Sequence, residues 1–169
     1  AHVLRCFEDS DITHVDGGVN PTRDIQTVET ELMLADIDSI ERRVTALVKK
    51  SRGGDVESKA DLALLEKLLA HLADGKPARS TDGLTEAEQK RMPQLQLLTA
   101  KPVLYVCNVT ESDAATGNSY SQKVAEMAAT QKAGHVIVSA AIEAEISQLD
   151  SNDKNEFLAE LGLEEAGLT

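Results

Sequence analysis

The chain holds 169 residues, with 17 Lys and Arg against 29 Asp and Glu, for a net charge of −12 with His neutral. Hydrophobic residues at 41% suffice for a core, and charged residues at 27% are ordinary for a water-soluble chain. This acidity speaks against a general or sequence-specific grip on DNA, which needs clustered Lys and Arg. Aromatics at 2% with no Trp leave little to stack single strands on, and no apolar run approaches the ~18 residues of a membrane span.

Residues 2–8 are rich in β-formers and predict a strand, followed by an acidic turn, Glu8-Asp9-Ser10-Asp11, and a loop to Gly17-Gly18. The turn looks superficially like a Ca²⁺ loop. An EF-hand needs Gly at its sixth position, and counting from Asp9 that position is His14. His2, His14, His71 and His135 show no paired ligand spacing, so no metal site is expected. His71 lies beside a leucine stripe and reads as a surface residue. The chain opens directly on a strand without an initiator Met, as a piece of a longer chain does.

Asn20-Pro21 opens a long helix, with Asn as N-cap and Pro at the first helical position. From Ile25 to about Arg52 apolar residues recur in two sets with one change of phase: Ile25, Val28, Leu32, Ala35, then Ile37, Ile40, Val44, Leu47. Gly53-Gly54 stops it. A second helix from about Asp55 to Ala73 carries Leu62, Leu65, Leu68, Leu69 and Leu72, closed by Gly75-Lys76-Pro77. Two long helices joined by a short Gly turn predict an antiparallel hairpin. Thr85 and Glu88 make a capping box for a short third helix ending near Pro93.

After Ala100 the pattern changes. Val103–Cys107 is a continuous apolar run, the pattern of a parallel strand covered on both faces. A helix over 119–132 and a strand over His135–Val138 complete a βαβ unit. Residues 2–8 supply a third strand, with 103–107 expected in the middle and parallel to both neighbours. A last acidic helix spans 153–161. Cys6 and Cys107 sit inside apolar strands and read as small buried hydrophobes of a reducing, cytoplasmic compartment.

Open parallel sheets bind ligands at the carboxyl ends of their strands. Two polar segments lie there: Asn108-Val109-Thr110-Glu111 and Ser139-Ala140-Ala141-Ile142-Glu143. Asn and a carboxylate three residues apart after one strand, with Ser-Ala after the next, is the layout by which P-loop GTPases read a base. These segments, together with Arg5–Asp9, Ile12–Val15, Pro21–Ile25, Thr30–Asp36, Leu98–Val106, Ala144–Ile146 and Leu161–Leu168, resemble the YchF-type or Obg-like ATPases of the translation-factor class of P-loop NTPases. The resemblance covers essentially the whole chain.

It implies an α/β fold, half of a P-loop NTPase parallel sheet with an inserted antiparallel α-helical coiled-coil hairpin. Residues 1–20 and 100–169 would form the nucleotide-binding part and 21–99 the insert. It implies ATP or GTP with Mg²⁺ as cofactor, and the ribosome and a purine nucleotide as partners. ATP is expected to be preferred, because Asn-x-x-Glu stands where guanine readers carry Asn-Lys-x-Asp. By position, Asn108 would contact the base and buttress the loops. Val109 would touch adenine through its backbone, and Glu111 would stand where guanine specificity is otherwise set. Ser139 and Ala140 would close the pocket through backbone N–H groups. The chain has no Gly-x-x-x-x-Gly-Lys-Ser/Thr and no Asp-x-x-Gly, so it is expected not to hydrolyse nucleotide alone. The other reading makes the hairpin the working part, a non-catalytic module for a ribosomal or protein partner. Lys49, Lys50 and Arg52 lie near its tip, where rRNA phosphate could meet them.

Overall fold

The computed structural model describes residues 1–9, 18–163 and 167, so the expected loop at 10–17 lies outside the described residues. The chain divides into two compact units, residues 1–25 with 103–169, and residues 26–102.

The first unit is built on a three-stranded parallel sheet in the order β1 (His2–Arg5), β2 (Leu104–Asn108), β3 (Gly134–Val138). The middle position of β2 is the one its uncharged run predicted. Leu4 pairs with Cys107, and Cys107 with Ile137. β1 is shorter than the strand expected over 2–8, although its ladder continues to Cys6, whose N–H donates to the Asn108 carbonyl at 2.8 Å. Helix α4 (Ser119–Gln131) makes the crossover from β2 to β3. Its Val124 and Ala128 pack with Leu4, Cys6, Tyr105 and Cys107 on one face of the sheet.

The other face is open, contrary to the expected double cover. Val3 is 66% exposed, Leu104 40% and Val136 37%. The continuous apolar run thus leaves apolar side chains on a face that the described residues of this chain do not cover. Cys6 and Cys107 are buried free thiols on the covered face. A hydrogen bond shared with Cys107, together with burial, holds the Cys6 thiol above its ordinary range, so it stays protonated. Helices α5 (Ala140–Ile146) and α6 (Ser151–Glu160) follow β3, and Ile142, Ile146 and Leu158 form their own small core.

The second unit is a helical hairpin with a buttress. Helix α1 (Pro21–Ser51) starts where Asn20-Pro21 places it: Asn20 Oδ1 accepts from the Arg23 N–H at 3.1 Å. Helix α2 (Val56–Ala73) is capped by Asp55, whose side chain accepts from the Ser58 N–H at 3.2 Å. The turn between them places Gly54 at φ +89°, a conformation that glycine adopts without strain.

Along α1 the packed residues are Met33, Ile37, Ile40, Val44 and Leu47, at steps of four and three. Leu64, Leu65, Leu68 and Leu72 meet them from α2. Two expected positions move. Met33 is buried and Ala35 exposed, and Leu64 takes the central place assigned to Leu62. Both shifts are one or two residues, about a quarter turn or half a turn of a helix that drifts against a strict repeat. His71 is partly exposed, with Nε2 2.9 Å from Ser80 Oγ.

Helix α3 (Glu86–Leu95) carries the expected capping box and runs past Pro93 to Leu95. Glu88 accepts from Lys67 Nζ at 2.6 Å, from the Thr85 N–H at 2.8 Å and from the Thr85 hydroxyl at 3.0 Å, which holds its carboxyl at about 2. Among the described residues, one carboxylate is buried in this unit. Asp36 accepts from the Leu98 N–H at 2.7 Å, the Thr99 N–H at 2.8 Å and the Thr99 hydroxyl at 2.7 Å. Thr99 in turn accepts at Oγ1 from the Ala78 N–H and at its carbonyl from the Arg79 N–H, both at 3.0 Å. Asp36 thereby ties α1 to the two segments that close the unit.

Candidate functional site

The carboxyl ends of β2 and β3 frame a cavity of about 530 Å³. Asn108, Val109, Glu111, Ser139 and Ala140 all line it, so the five residues singled out from the sequence converge. Thr110, Ser112, Ala141 and Phe7 complete the wall. Phe7 was not anticipated; it sits just past β1, with its carbonyl accepting from Arg5 Nε at 3.0 Å.

The sequence decides this geometry locally. Asn108 is the last residue of β2, and its carbonyl completes the ladder to Cys6. Its side-chain Oδ1 then accepts from the Ala140 N–H at 2.9 Å, joining the loop after β2 to the one after β3. That bond fixes the amide orientation, because an N–H needs an acceptor opposite it. The Nδ2 end, a donor, is left with no partner among the described residues.

Val109 is 2% exposed and packs in the core beside Leu4 and Cys107. Its N–H donates to the Val138 carbonyl at 2.9 Å, so of its two backbone groups the carbonyl remains for a ligand. Glu111 is exposed and opens a single 3₁₀ turn, Glu111–Asp113, at the pocket rim. Ser139 is 3% exposed, and its hydroxyl has no partner among the described residues. The Ala140 N–H, expected to face a base, is already committed to Asn108.

A residue absent from the sequence reading holds the rim. Asn118 caps α4, accepting at Oδ1 from the Tyr120 and Ser121 N–H groups at 3.0 and 3.1 Å. Its Nδ2 donates to the Cys6 carbonyl and to Asp113 Oδ2, both at 2.8 Å. One amide thus connects the end of β1, the 111–113 turn and α4. The signal for it was Asn118 with Ser121 three residues on, the spacing of a capping box. Gly117 before it adopts φ +71°, and a Cβ there would meet Ser121 Oγ at 2.5 Å and Ile137 Cδ1 at 2.8 Å. Only glycine fits that corner.

Among the described residues no Lys or Arg lines the cavity. Residues 26–102 hold 12 of the 17 basic and 13 of the 29 acidic residues, net −1, which leaves −11 on the unit that carries the cavity. The cavity therefore lacks the positive charge with which proteins hold a phosphate. Among the described residues no three His, Cys, Asp or Glu side chains gather as metal ligands, and no helix is long and apolar enough to cross a membrane.

A scan against protein-family models finds no match. Among curated proteins, the chain is 46% identical over 167 residues to "Ribosome-binding ATPase YchF" of Escherichia coli O157:H7, covering 99% of this chain and 46% of that protein. It is 44% identical over 169 residues to the protein of the same name from Bacillus subtilis (strain 168), with the same coverage. It is 43% identical over 113 residues to "Obg-like ATPase 1" of Oryza sativa subsp. indica, over 66% of this chain and 28% of that one. Among solved structures, the Schizosaccharomyces pombe YchF GTPase superposes with a TM-score of 0.81 at 30% identity, covering 95% of this chain and 45% of that one. The chain spans about half the length of the curated YchF relatives it matches.

Proposed function

Over nearly its whole length the chain matches the YchF-type, Obg-like ATPases, and from that premise we propose that it supplies the base-recognising side of a nucleotide-binding ATPase or GTPase, with ATP preferred. The observation that carries this reading is the Asn108 amide. Its oxygen is held by Ala140 and its NH₂ end is left over on the cavity wall. Every purine presents an acceptor at N7, and a fixed amide donor at the pocket wall matches it.

Adenine then offers an exocyclic amino group, for which the Val109 carbonyl is the available acceptor. Glu111 is one methylene longer than the Asp that takes both guanine donors, so it does not occupy that bidentate position. Phe7 lines the cavity, with the Arg5 guanidinium 5.1 Å from its ring centroid, and supplies apolar surface for a base to pack on. The triphosphate finds no cation on this wall, and phosphoryl transfer depends on placing the phosphates. Among the described residues no three His, Cys, Asp or Glu side chains gather to hold the Mg²⁺ that such enzymes use with the nucleotide. The chain by itself is expected to bind a nucleotide without hydrolysing it.

Titrating the ¹⁵N-labelled chain with ATP and with GTP tests this reading by NMR. Amide shifts are expected at residues 108–112 and 139–141, saturating at lower concentration with ATP. Shifts confined to other surfaces, or none, would contradict it.

A second reading concerns the hairpin, and a specific observation favours it. Residues 42–59 carry six basic and two acidic side chains, net +4, within a chain of −12. A positive tip on an acidic protein suits a polyanion such as rRNA, and relatives are named as ribosome-binding. We infer that the tip contacts ribosomes and that the protein works in the cytoplasm. Reversing Lys49, Lys50 and Arg52 together to Glu is expected to lower co-sedimentation with ribosomes about tenfold near 0.1 M salt, since each phosphate contact releases counterions. Unchanged co-sedimentation would remove the tip from the interface.

A further inference from the structure

We propose that a second cavity, where α1, α2 and α3 meet, captures the C-terminal carboxylate of a partner peptide that ends on an aliphatic residue. The cavity holds about 340 Å³, lies within residues 26–102 and shares no residue with the base pocket. Each helix lends it a charged residue and, one turn further on, a leucine. These are Arg43 and Leu47 from α1, Asp61 and Leu65 from α2, and Arg91 and Leu95 from α3. Leu65 is 1% exposed and Leu95 9%, and Leu47 packs against the same core, so the floor is apolar and fixed by packing. Arg91 already holds one carboxylate, that of Asp61, in an ion pair that joins α3 to α2. Arg43 is partly buried and has no hydrogen bond or ion pair among the described residues.

The wall's chemistry decides the ligand. Two guanidinium groups against one carboxylate leave a single positive charge, because arginine stays protonated in proteins. One singly charged anion neutralises it, and a planar guanidinium pairs with both oxygens of a carboxylate. A phosphodiester carries the same charge but brings sugars, and the leucine floor gives their polar groups nothing to bond to. With the turn at Gly54, antiparallel helices set Arg43 level with Leu65 and Leu47 level with Asp61. The unpaired guanidinium is therefore bordered by leucine on its own helix and on the next. An aliphatic C-terminal residue carries its carboxylate and its side chain on one Cα, so both meet this wall together. The volume is near the lower end for ligand sites and suits one terminal residue better than a chain that runs through.

The test titrates the ¹⁵N-labelled chain with three peptides: N-acetyl-alanyl-leucine, its C-terminal amide, and N-acetyl-glutamyl-alaninamide, whose carboxylate is on a side chain. Amide shifts are expected at residues 43–47, 61–65 and 91–95. The free acid is expected to bind about tenfold more tightly than either comparison peptide, since it alone adds a charge-assisted pair beside the leucines. Arg43→Gln is expected to bind all three at the level of the leucine amide. Its melting temperature is expected to stay at the wild-type value, because Arg43 has no partner to lose among the described residues. Should that variant fold poorly, Arg43→Met keeps the apolar stem and serves the same purpose. A wild type that binds acid and amide alike, or that shifts only at other residues, would overturn the proposal. So would a variant that keeps the preference for the acid. A glutamyl peptide bound as tightly as the free acid would overturn the choice of a chain terminus. Displacement of the acid by an equal concentration of uridylyl-uridine would give the cavity to an RNA backbone instead, and would overturn the peptide reading.

Discussion

Replacing Asp36 with Ala is expected to destabilise the helical unit by about 3–5 kcal/mol, the largest loss from any polar side chain in it. The carboxylate is 2% exposed and takes three hydrogen bonds from Leu98 and Thr99. Removing it leaves the buried Thr99 N–H and hydroxyl and the partly buried Leu98 N–H without their acceptor, the buried ones each costing about 1–3 kcal/mol. Relief of the buried charge offsets part of that sum. Asp36→Asn puts an NH₂ where an N–H needs an acceptor and is expected to cost more than half as much. Urea unfolding measures both, and amide exchange at Leu98 and Thr99 should accelerate first. A loss under about 1 kcal/mol would show that the clamp is not what closes the unit.

Asn108→Asp is expected to weaken ATP binding about 30- to 100-fold with little change in stability. The new side chain has the same shape and still accepts from the Ala140 N–H, so the two loops stay joined. The donor facing N7 is exchanged for an acceptor, which removes one hydrogen bond and sets two lone pairs against each other. That is worth about 2–3 kcal/mol, at 1.4 kcal/mol for each tenfold. Asn108→Ala is expected to lose similar affinity and also to loosen the Ala140 loop, visible as new amide shifts without ligand. Calorimetry or NMR titration separates them, and unchanged affinity in the Asp variant would take N7 off Asn108.

Exchanging Val109 for Lys and Glu111 for Asp would imitate a guanine reader, and from the sequence both positions look open. The structure limits that exchange, because Val109 is a core residue and a Lys stem there would displace Leu4 and Cys107. Glu111→Asp alone leaves the core intact.

What could be read from the chain and what could not divides along physical lines. Helix starts at Asn20-Pro21 and Thr85 were legible because capping is a contact between residues three apart. The three strands were legible from runs rich in β-formers between turn residues, and the central place of β2 from its lack of charge. The convergence of Asn108 with Ser139 and Ala140 followed from parallel strands ending at the same level. The bare sheet face at Val3, Leu104 and Val136 was not legible, since burial depends on what else packs there. Asp36 reads as one more charge on a charged helix, and its partners lie more than sixty residues away. The commitment of the Ala140 N–H and the unpaired Ser139 hydroxyl are matters of ångströms that spacing does not reach.

The most direct test of the base pocket is a crystal structure of the chain with a non-hydrolysable ATP analogue. The account predicts the purine in the cavity between the ends of β2 and β3, with N7 about 3 Å from Asn108 Nδ2. A base bound elsewhere, or turned so that N7 points away from Asn108, would contradict it.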